Sequence, residues 1–534
     1  MADSETLIPL HEALRRNARN HPGRDAYIWY GRHISWAEMD AASDAFAARL
    51  QALGVGRGEP VALFMNNCPQ YIVAHYGIQK VGAIVCPCGP LNKEHELQYQ
   101  LDDLQARVIV AADVLLPVVD KVRASTALRH VLAVRYGDWL PESATLALPP
   151  ELQVPVQPLP EGVESFWDVM HSGAKPVPVD VAMDDVSLMT YTSGTTGLPK
   201  GAMLTHRNIV AATLQAEAWF TPALAKIGDV TKANSIAALP LYHIFALTLC
   251  LLAIRQGSSL TLIPNPRDIP KFVAELKKRP FHMLPAVNTL FNALLQNPQF
   301  RALDFSHLCV SQAGGMAASE GTAKQWQKVT GSTMIEGWGM SETCAIGTNN
   351  PVISTTFSGN IGLPLPGIDI AIKDDEGNSL PQGESGEICI RGPNVMVGYY
   401  NQPEENAKAF TPDGFMRTGD IGIMDPQGYT RIIDRKKDMI LVSGFNVFPN
   451  ELEQVISLCP GVVECAAIGV PDEKQGEAIK VFIIKNDPAL TEDDVAAFCH
   501  ENLTGYKRPK YIEFRDELPK SNVGKILRRE LRKA

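Results

Sequence analysis

The chain has 534 residues, more than one core can hold, and a soft prior of roughly 150 residues per domain predicts about three or four folding units. Apolar residues make up 45% and charged residues 20%, an ordinary globular balance that excludes disorder. Forty-nine Lys and Arg against 59 Asp and Glu leave a net charge of −10, which does not suit a chain whose main partner is nucleic acid.

The first residues carry acids early and no uninterrupted apolar run, so they predict an amphipathic helix and not a signal peptide. Met39–Leu53 repeats apolar residues at helical spacing until Gly54, and Pro60–Phe64 opens a β-rich run. Arg107–Ala112 predicts a short buried strand and Leu115–Ala124 a helix. Such alternation predicts parallel sheets covered by helices, an α/β architecture. Seven prolines between Pro149 and Pro178 mark a surface connection, because proline cannot donate to a ladder. Ala233–Ile254 is uncharged over 22 residues, long enough for a membrane span. Asn234, Pro240, Tyr242 and His243 within it favour a buried strand, a turn and a core helix instead.

After about residue 360 the strands become short and turn-rich, which predicts a small antiparallel or barrel-like subdomain. The charge run Asp434–Asp438 follows, and beyond it roughly 100 residues with βαβ-like alternation suffice for a separate domain. The ten cysteines are scattered, with only Cys86 and Cys88 forming a C-x-C pair. They read as free thiols in a reducing compartment, which points to the cytoplasm.

Four segments carry chemistry. Tyr191–Gly201, Y-T-S-G-T-T-G-L-P-K-G, follows the apolar strand Val186–Met189. Its glycines let backbone N–H groups approach phosphate oxygens, and its hydroxyls and Lys200 add donors and charge. The Walker A spacing is absent. Glu336–Thr343, E-G-W-G-M-S-E-T, offers Trp338 as a flat face for a base and Glu342 as a hard oxygen ligand for Mg²⁺. Thr418-Gly419-Asp420, with Arg435 beyond, pairs an acceptor and a donor suited to a ribose diol. Leu518–Ile526, L-P-K-S-N-V-G-K-I, sets two lysines on a punctuated loop before a basic helix. Taken singly, each is also compatible with a surface turn, a core tryptophan or a solvated charge.

In this order the four segments, with D-R-K-K-D between the last two, resemble the adenylate-forming superfamily of acyl-CoA synthetases, firefly luciferase and peptide-synthetase adenylation domains. GAMLTHRN (201–208), ALPLYHIFALT (238–248), NPRDIP (265–270), NTLFNALL (288–295), RKKDMILVSGFNV (435–447) and ELPKSNVGKILRREL (517–531) are similar to bacterial long-chain fatty-acid–CoA ligases.

That resemblance implies a large N-terminal domain over 1–433, made of two α/β subdomains and a β-barrel-like subdomain at about 360–433. It also implies a hinge at 434–438 and a small mobile α+β lid over 439–534. The reaction it implies has two halves: a fatty acid and MgATP give acyl-AMP and pyrophosphate, then CoA gives the thioester and AMP. ATP and CoA are thus cosubstrates and Mg²⁺ the cofactor. Lys525 bridges the acyl carboxylate and the α-phosphate, and Glu342 with Thr192 holds the metal. Thr192, Ser193, Gly194, Thr195, Thr196, Gly197 and Lys200 hold the polyphosphate. Gly314, Gly337, Trp338, Gly339, Met340 and Ser341 surround the adenosine, while Asp420 and Arg435 fix the ribose. His243 sits near the carboxylate as a catalytic residue, and Phe245, Leu247, Ala313 and Gly315 line the acyl pocket. Lys437 is the pivot, with Ser443 and Gly444 approaching the thiol channel.

Three departures concern specificity. Trp338 stands where relatives often have Tyr, Gln312 and Ala317 where they often have Gly and Pro, and Leu247 where some long-chain relatives have an aromatic gate. A stand-alone adenylating enzyme that loads a carrier protein's phosphopantetheine is the alternative reading, and a lipid-binding relative without catalysis is a third. The basic tail Arg528–Lys533 leaves room for weak peripheral contact at the inner face of a membrane, and a homodimer is also open.

Overall fold

Short apolar runs bounded by Gly, Pro and Asn become buried strands, and the amphipathic runs between them become covering helices. The structure is a computed structural model that describes residues 7–142, 148, 150–153, 156–193, 198–472, 474–520 and 526–533. Contacts divide the chain into two compact units, Met1–Ile368 with Gly392–Lys408, and Asp369–Arg391 with Ala409–Ala534. The turn-rich strands after residue 369 therefore group with the C-terminal residues.

The first unit contains two mixed sheets. One has eight strands, and its core runs parallel through Pro60–Phe64, Ile84–Cys88, Val108–Ala112, His130–Val134 and Val186–Ser193. The other has nine strands, with a parallel core through Asn234–Ala237, Ser259–Leu262, Met283–Ala286, Val310–Ala313 and Met334–Trp338. Helices connect these strands, as parallel pairing requires. The uncharged stretch Ala233–Ile254 resolves into the strand Asn234–Ala237 and the helix Ile244–Gln256, stopped by Gly257 at φ +71°. No described helix is long and apolar enough to cross a membrane.

The second unit begins with a four-stranded antiparallel sheet, Asp369–Lys373, Ser385–Arg391, Met416–Met424 and Thr430–Arg435. It is open rather than closed into a barrel, because its edge strands pair on one side only. A five-stranded sheet follows, in which Gly476–Lys485 pairs antiparallel with Val462–Asp472 and parallel with Tyr511–Phe514. The helices Pro449–Ile456 and Glu492–Asn502 cover its apolar face through Leu452, Ile456, Val495 and Cys499.

The first unit buries histidines that must stay neutral. His75 is fully buried with neither ring nitrogen bonded, and Nε2 of His206 is likewise unbonded. Desolvation lowers their pKa values to about 3 and about 4. Unfolding restores the ordinary value near 6.5, so the unfolded chain binds more protons between those limits. Stability from both groups is complete above about pH 6.5 and is lost as pH falls, toward about 4 for His206 and about 3 for His75. The urea midpoint is expected to be lower at pH 5 than at pH 7, and His75→Phe should reduce that difference.

Candidate active site

The glycine-rich motif folds as a β-hairpin. Val186–Ser193 runs antiparallel to Pro199–Thr205, with Thr192 opposite Lys200 and Tyr191 opposite Gly201. The strand thus extends past Met189 into the motif, and Gly194, Thr195, Thr196 and Gly197 lie outside the described residues. The helix Glu94–Leu104 anchors the stem: Tyr191 Oη donates to Asp103 Oδ2 at 2.5 Å, and Tyr99 Oη donates to the Pro199 carbonyl at 3.0 Å. Burial and that carboxylate push the Tyr191 phenol well above its ordinary range.

Glu342 reaches the hairpin from the second motif. The strand Met334–Trp338 ends at Gly339, where a Cβ would lie 2.2 Å from the Ala345 carbonyl oxygen. Only glycine lets the chain fold back here, through Cys344 and Ala345 at φ +52° and +62°. The tight turn carries Glu342 inward, where Oε1 accepts from Thr192 Oγ1 at 3.3 Å and from Tyr399 Oη at 2.8 Å. Tyr399 arrives because the two-residue strand Gly398–Tyr399 pairs with Met203 and Ala202. The same segment brings Glu405, whose carboxylate is ion-paired with the buried ammonium of Lys200. Lys200 Nζ also lies 5.5 Å from the Tyr399 ring centre. Desolvation and Glu342 together raise the Tyr399 phenol far above its usual value.

Thr192 and Lys200, predicted from one motif, and Glu342, predicted from another, therefore share one cluster. Tyr399 and Glu405 were not predicted, since nothing in Y-Y-N-Q-P-E-E has the spacing of a site. Its only readable signal is the proline and two acids of a helix start.

Around Trp338 the sheet sets further residues side by side. The six-membered ring of Trp338 rests on Gly347, where a Cβ would approach Cε3 to 2.7 Å. Gln312 and Asn349 exchange amide hydrogen bonds of 3.3 and 3.1 Å across Gly337, whose Cβ would strike both. The ring of Phe245 lies over Gly314, with Cζ 3.0 Å from the Cβ position, and touches the apolar cluster of Phe220, Leu249, Leu252, Met283 and Val310. Leu247 is buried two residues on, about 200° round the helix from Phe245. Ala313 is buried on its strand, while Gly315 is exposed with φ +77°. Met340 and Ser341 are half-buried within the turn.

Glu336 belongs to the same strand and was quoted only as part of its motif. It is buried, accepts from the Ala318 N–H at 2.8 Å, and so ties down the loop after Gly315. Burial raises its carboxyl pKa to about 7. His243 precedes the helix Ile244–Gln256 with its ring 4.4 Å from that of Tyr242. Solvent reaches it, so it is not a buried core histidine, yet crowding by protein atoms lowers its pKa to about 4. The lowered value keeps the ring neutral at physiological pH.

In the second unit, antiparallel register sets Asp420 opposite Arg435, with Nε 3.3 Å from Oδ1. Gly419, at φ +71°, accepts the Lys436 N–H through its carbonyl at 2.8 Å. Lys437 is exposed at the turn after that strand. Desolvation, then Arg435, pulls its ammonium pKa down. Its neighbours are tied down: Asp434 accepts the N–H of Arg435 and of Asn450, both at 2.7 Å, and Asp438 pairs with Arg528 and Arg532.

Ser443 and Gly444 form the tip of the hairpin Ile440–Val447, at φ +51° and +84°. Beside them lies a cavity of about 290 Å³ whose lining includes Gln475, Tyr506, Arg508 and Lys510. Ser521–Lys525 lie outside the described residues, and Lys520 and Ile526 on either side are joined by an antiparallel bridge.

The chain is similar to known proteins in sequence and in fold. The family model described as AMP-binding enzyme matches residues 14–400, and its C-terminal domain model matches 451–525. The chain belongs to the AMP-binding enzyme family. The long-chain-fatty-acid–CoA ligase of Escherichia coli O6:H1 is 45% identical over 99% of this chain and 94% of its own length. That of Bacillus subtilis is 34% identical over 98% and 94%. ATP-bound MatB from Rhodopseudomonas palustris superposes with a TM-score of 0.84 at 29% identity, covering 98% of each chain. A Mycobacterium tuberculosis fatty acyl CoA synthetase superposes with a TM-score of 0.76 at 28% identity, covering 100% of this chain and 99% of its own. The motif resemblance is borne out, and this AMP-binding enzyme has the large N-terminal and small C-terminal domains of its structural neighbours.

Proposed function

We propose that the chain is an ATP-dependent fatty acid–CoA ligase acting on medium- to long-chain acids. The observation that carries this reading is the convergence of Thr192, Lys200 and Glu342 in a chain 45% identical to enzymes of that name.

A carboxylate is a poor acyl donor because its leaving group would be oxide. Joining it to AMP supplies a good leaving group, which a thiol then displaces. In the first half-reaction two anions meet, so cationic and hydrogen-bonding groups must offset their charge. Lys200 and the Thr192 hydroxyl serve the polyphosphate, and Lys525 serves the carboxylate and α-phosphate. Trp338 stacks on adenine, and Asp420 with Arg435 binds the ribose diol. Neutral His243 can hydrogen-bond the acyl carboxylate without adding charge. Phe245 over Gly314 borders the acyl chain.

Glu342 and Thr192 fit Mg²⁺. Both present hard oxygens, and they lie within hydrogen-bond reach of each other. When bound, Mg²⁺ would offset polyphosphate charge. CoA enters the second half-reaction past Ser443 and Gly444, and the adjacent cavity with Arg508 and Lys510 suits its anionic end. Lys437 is the residue about which the region after 438 turns between the two halves. No Cys–His pair is required, because acyl-AMP is reactive enough for a CoA thiol.

The test is formation of acyl-CoA and AMP by the purified protein with MgATP, CoA and straight-chain acids from butyrate to stearate. Product that depends on CoA and peaks among the longer acids is expected. Pyrophosphate release without thioester would transfer the assignment to carrier-protein loading.

A further inference from the structure

Two groups on which the proposed polyphosphate site depends are already engaged by the segment Gly392–Lys408, which no motif singled out. Tyr399 holds Glu342, and Glu405 holds Lys200. The Lys200 side chain is 8% exposed, and a buried ammonium needs a partner. Among the described residues its partners are the Glu405 carboxylate and the face of the Tyr399 ring. We propose that Glu405 is a displaceable counter-ion: it neutralises Lys200 until ATP arrives and then yields the ammonium to phosphate oxygens. This rests on the reading of Lys200 as a phosphate ligand.

Three features support exchange over a permanent strut. Lys200 stands opposite Thr192, so an anion that accepts from the Thr192 hydroxyl is brought to the same ammonium. Glu405 also has somewhere else to go. Its Oε1 lies 3.5 Å from Nζ of Lys408, one helical turn along and 73% exposed. The carboxylate can therefore leave the buried cation without losing all charge compensation. Finally, Glu405 is itself partly exposed, so water can solvate it once displaced, whereas Lys200 has no such outlet. The consequence for turnover is that Glu405 competes with ATP on entry and with pyrophosphate on exit. It is a positioning residue that weakens nucleotide affinity and speeds release.

The test is calorimetric binding of ATP with Mg²⁺ and no acid or CoA, so that nothing turns over. Glu405→Gln removes the competing charge at constant size and is expected to bind ATP about tenfold tighter. Glu405→Asp keeps the charge and should behave like the parent. AMP, which lacks the β- and γ-phosphates, should bind all three equally. Without nucleotide Glu405→Gln should melt lower, while its rise in Tm on adding ATP should exceed the parent's.

ATP binding equal to or weaker than the parent's, or equal tightening for AMP, overturns the proposal. If Glu405→Gln cannot be purified, Lys408→Ala tests it from the other side. Loss of the resting partner should weaken ATP binding about twofold, and tightening would count against the exchange. Lys200→Gln separates the two levels of argument: ATP affinity unchanged in that variant would overturn the phosphate reading of Lys200 itself, whatever Glu405 does.

Discussion

Lys525→Ala is expected to slow acyl-adenylate formation by a factor of about 10² to 10³, the scale for one positioned charge or donor. The carboxylate and the α-phosphate repel until a cation lies near both, and this need vanishes once the anhydride has formed. The two half-reactions should therefore separate. Pyrophosphate exchange dependent on fatty acid should fall by the full factor, while thioester formation from supplied acyl-AMP and CoA should stay within a few-fold of the parent. Equal loss in both would mean that Lys525 supports the domain rather than the charge at the adenylation step. ATP binding alone should change little, because the lysine acts mainly where the two substrates meet.

Gly339→Ala carries the second large effect, and the reason is steric. The new methyl would lie 2.2 Å from the Ala345 carbonyl oxygen and 2.3 Å from its carbon, both backbone atoms. Cys344 and Ala345 already sit at positive φ, so the turn has little freedom to open. Overpacking against backbone is expected to cost about 3 kcal/mol of stability. It should also raise KM for MgATP, because the displaced turn carries Glu342 and its bonds to Thr192 and Tyr399. Gly321→Ala is the control. Gly321 lies in the helix Glu320–Thr330 with nothing within 4 Å of its Cβ position, and alanine there should stabilise by about 0.5–1 kcal/mol. A denaturant series on both variants, with ATP saturation curves, checks the pair. Equal stability changes would refute the steric account.

Local signals were legible where one residue type has one physical use. The predicted Met39–Leu53 helix is observed as Trp36–Ala52, and Pro60–Phe64 is a strand as read. Pro240 and the polar residues around it argued against a membrane span, and the stretch is instead a strand paired with Ser259–Leu262 and with Met283, followed by a helix. The glycine-rich motif was legible as chemistry but not as geometry. Its strand continues to Ser193, and a hairpin forms where a loop after Met189 was expected, since cross-strand pairing with Pro199–Thr205 outweighs local turn preference.

The sequence by itself determined the family and the residue types expected to serve its chemistry. Phosphate, metal and base each demand particular groups at short spacing, and short spacing survives in a linear string. Tertiary structure decided which of these groups meet. Asp420 and Arg435 face each other through antiparallel register, and the pairing of Gly398–Tyr399 with Met203 and Ala202 delivers Tyr399 to Glu342 and Glu405 to Lys200. That strand is two residues long and pairs across nearly two hundred residues of chain. Its position follows from the sheet edge it completes, so no window of sequence contains the cause.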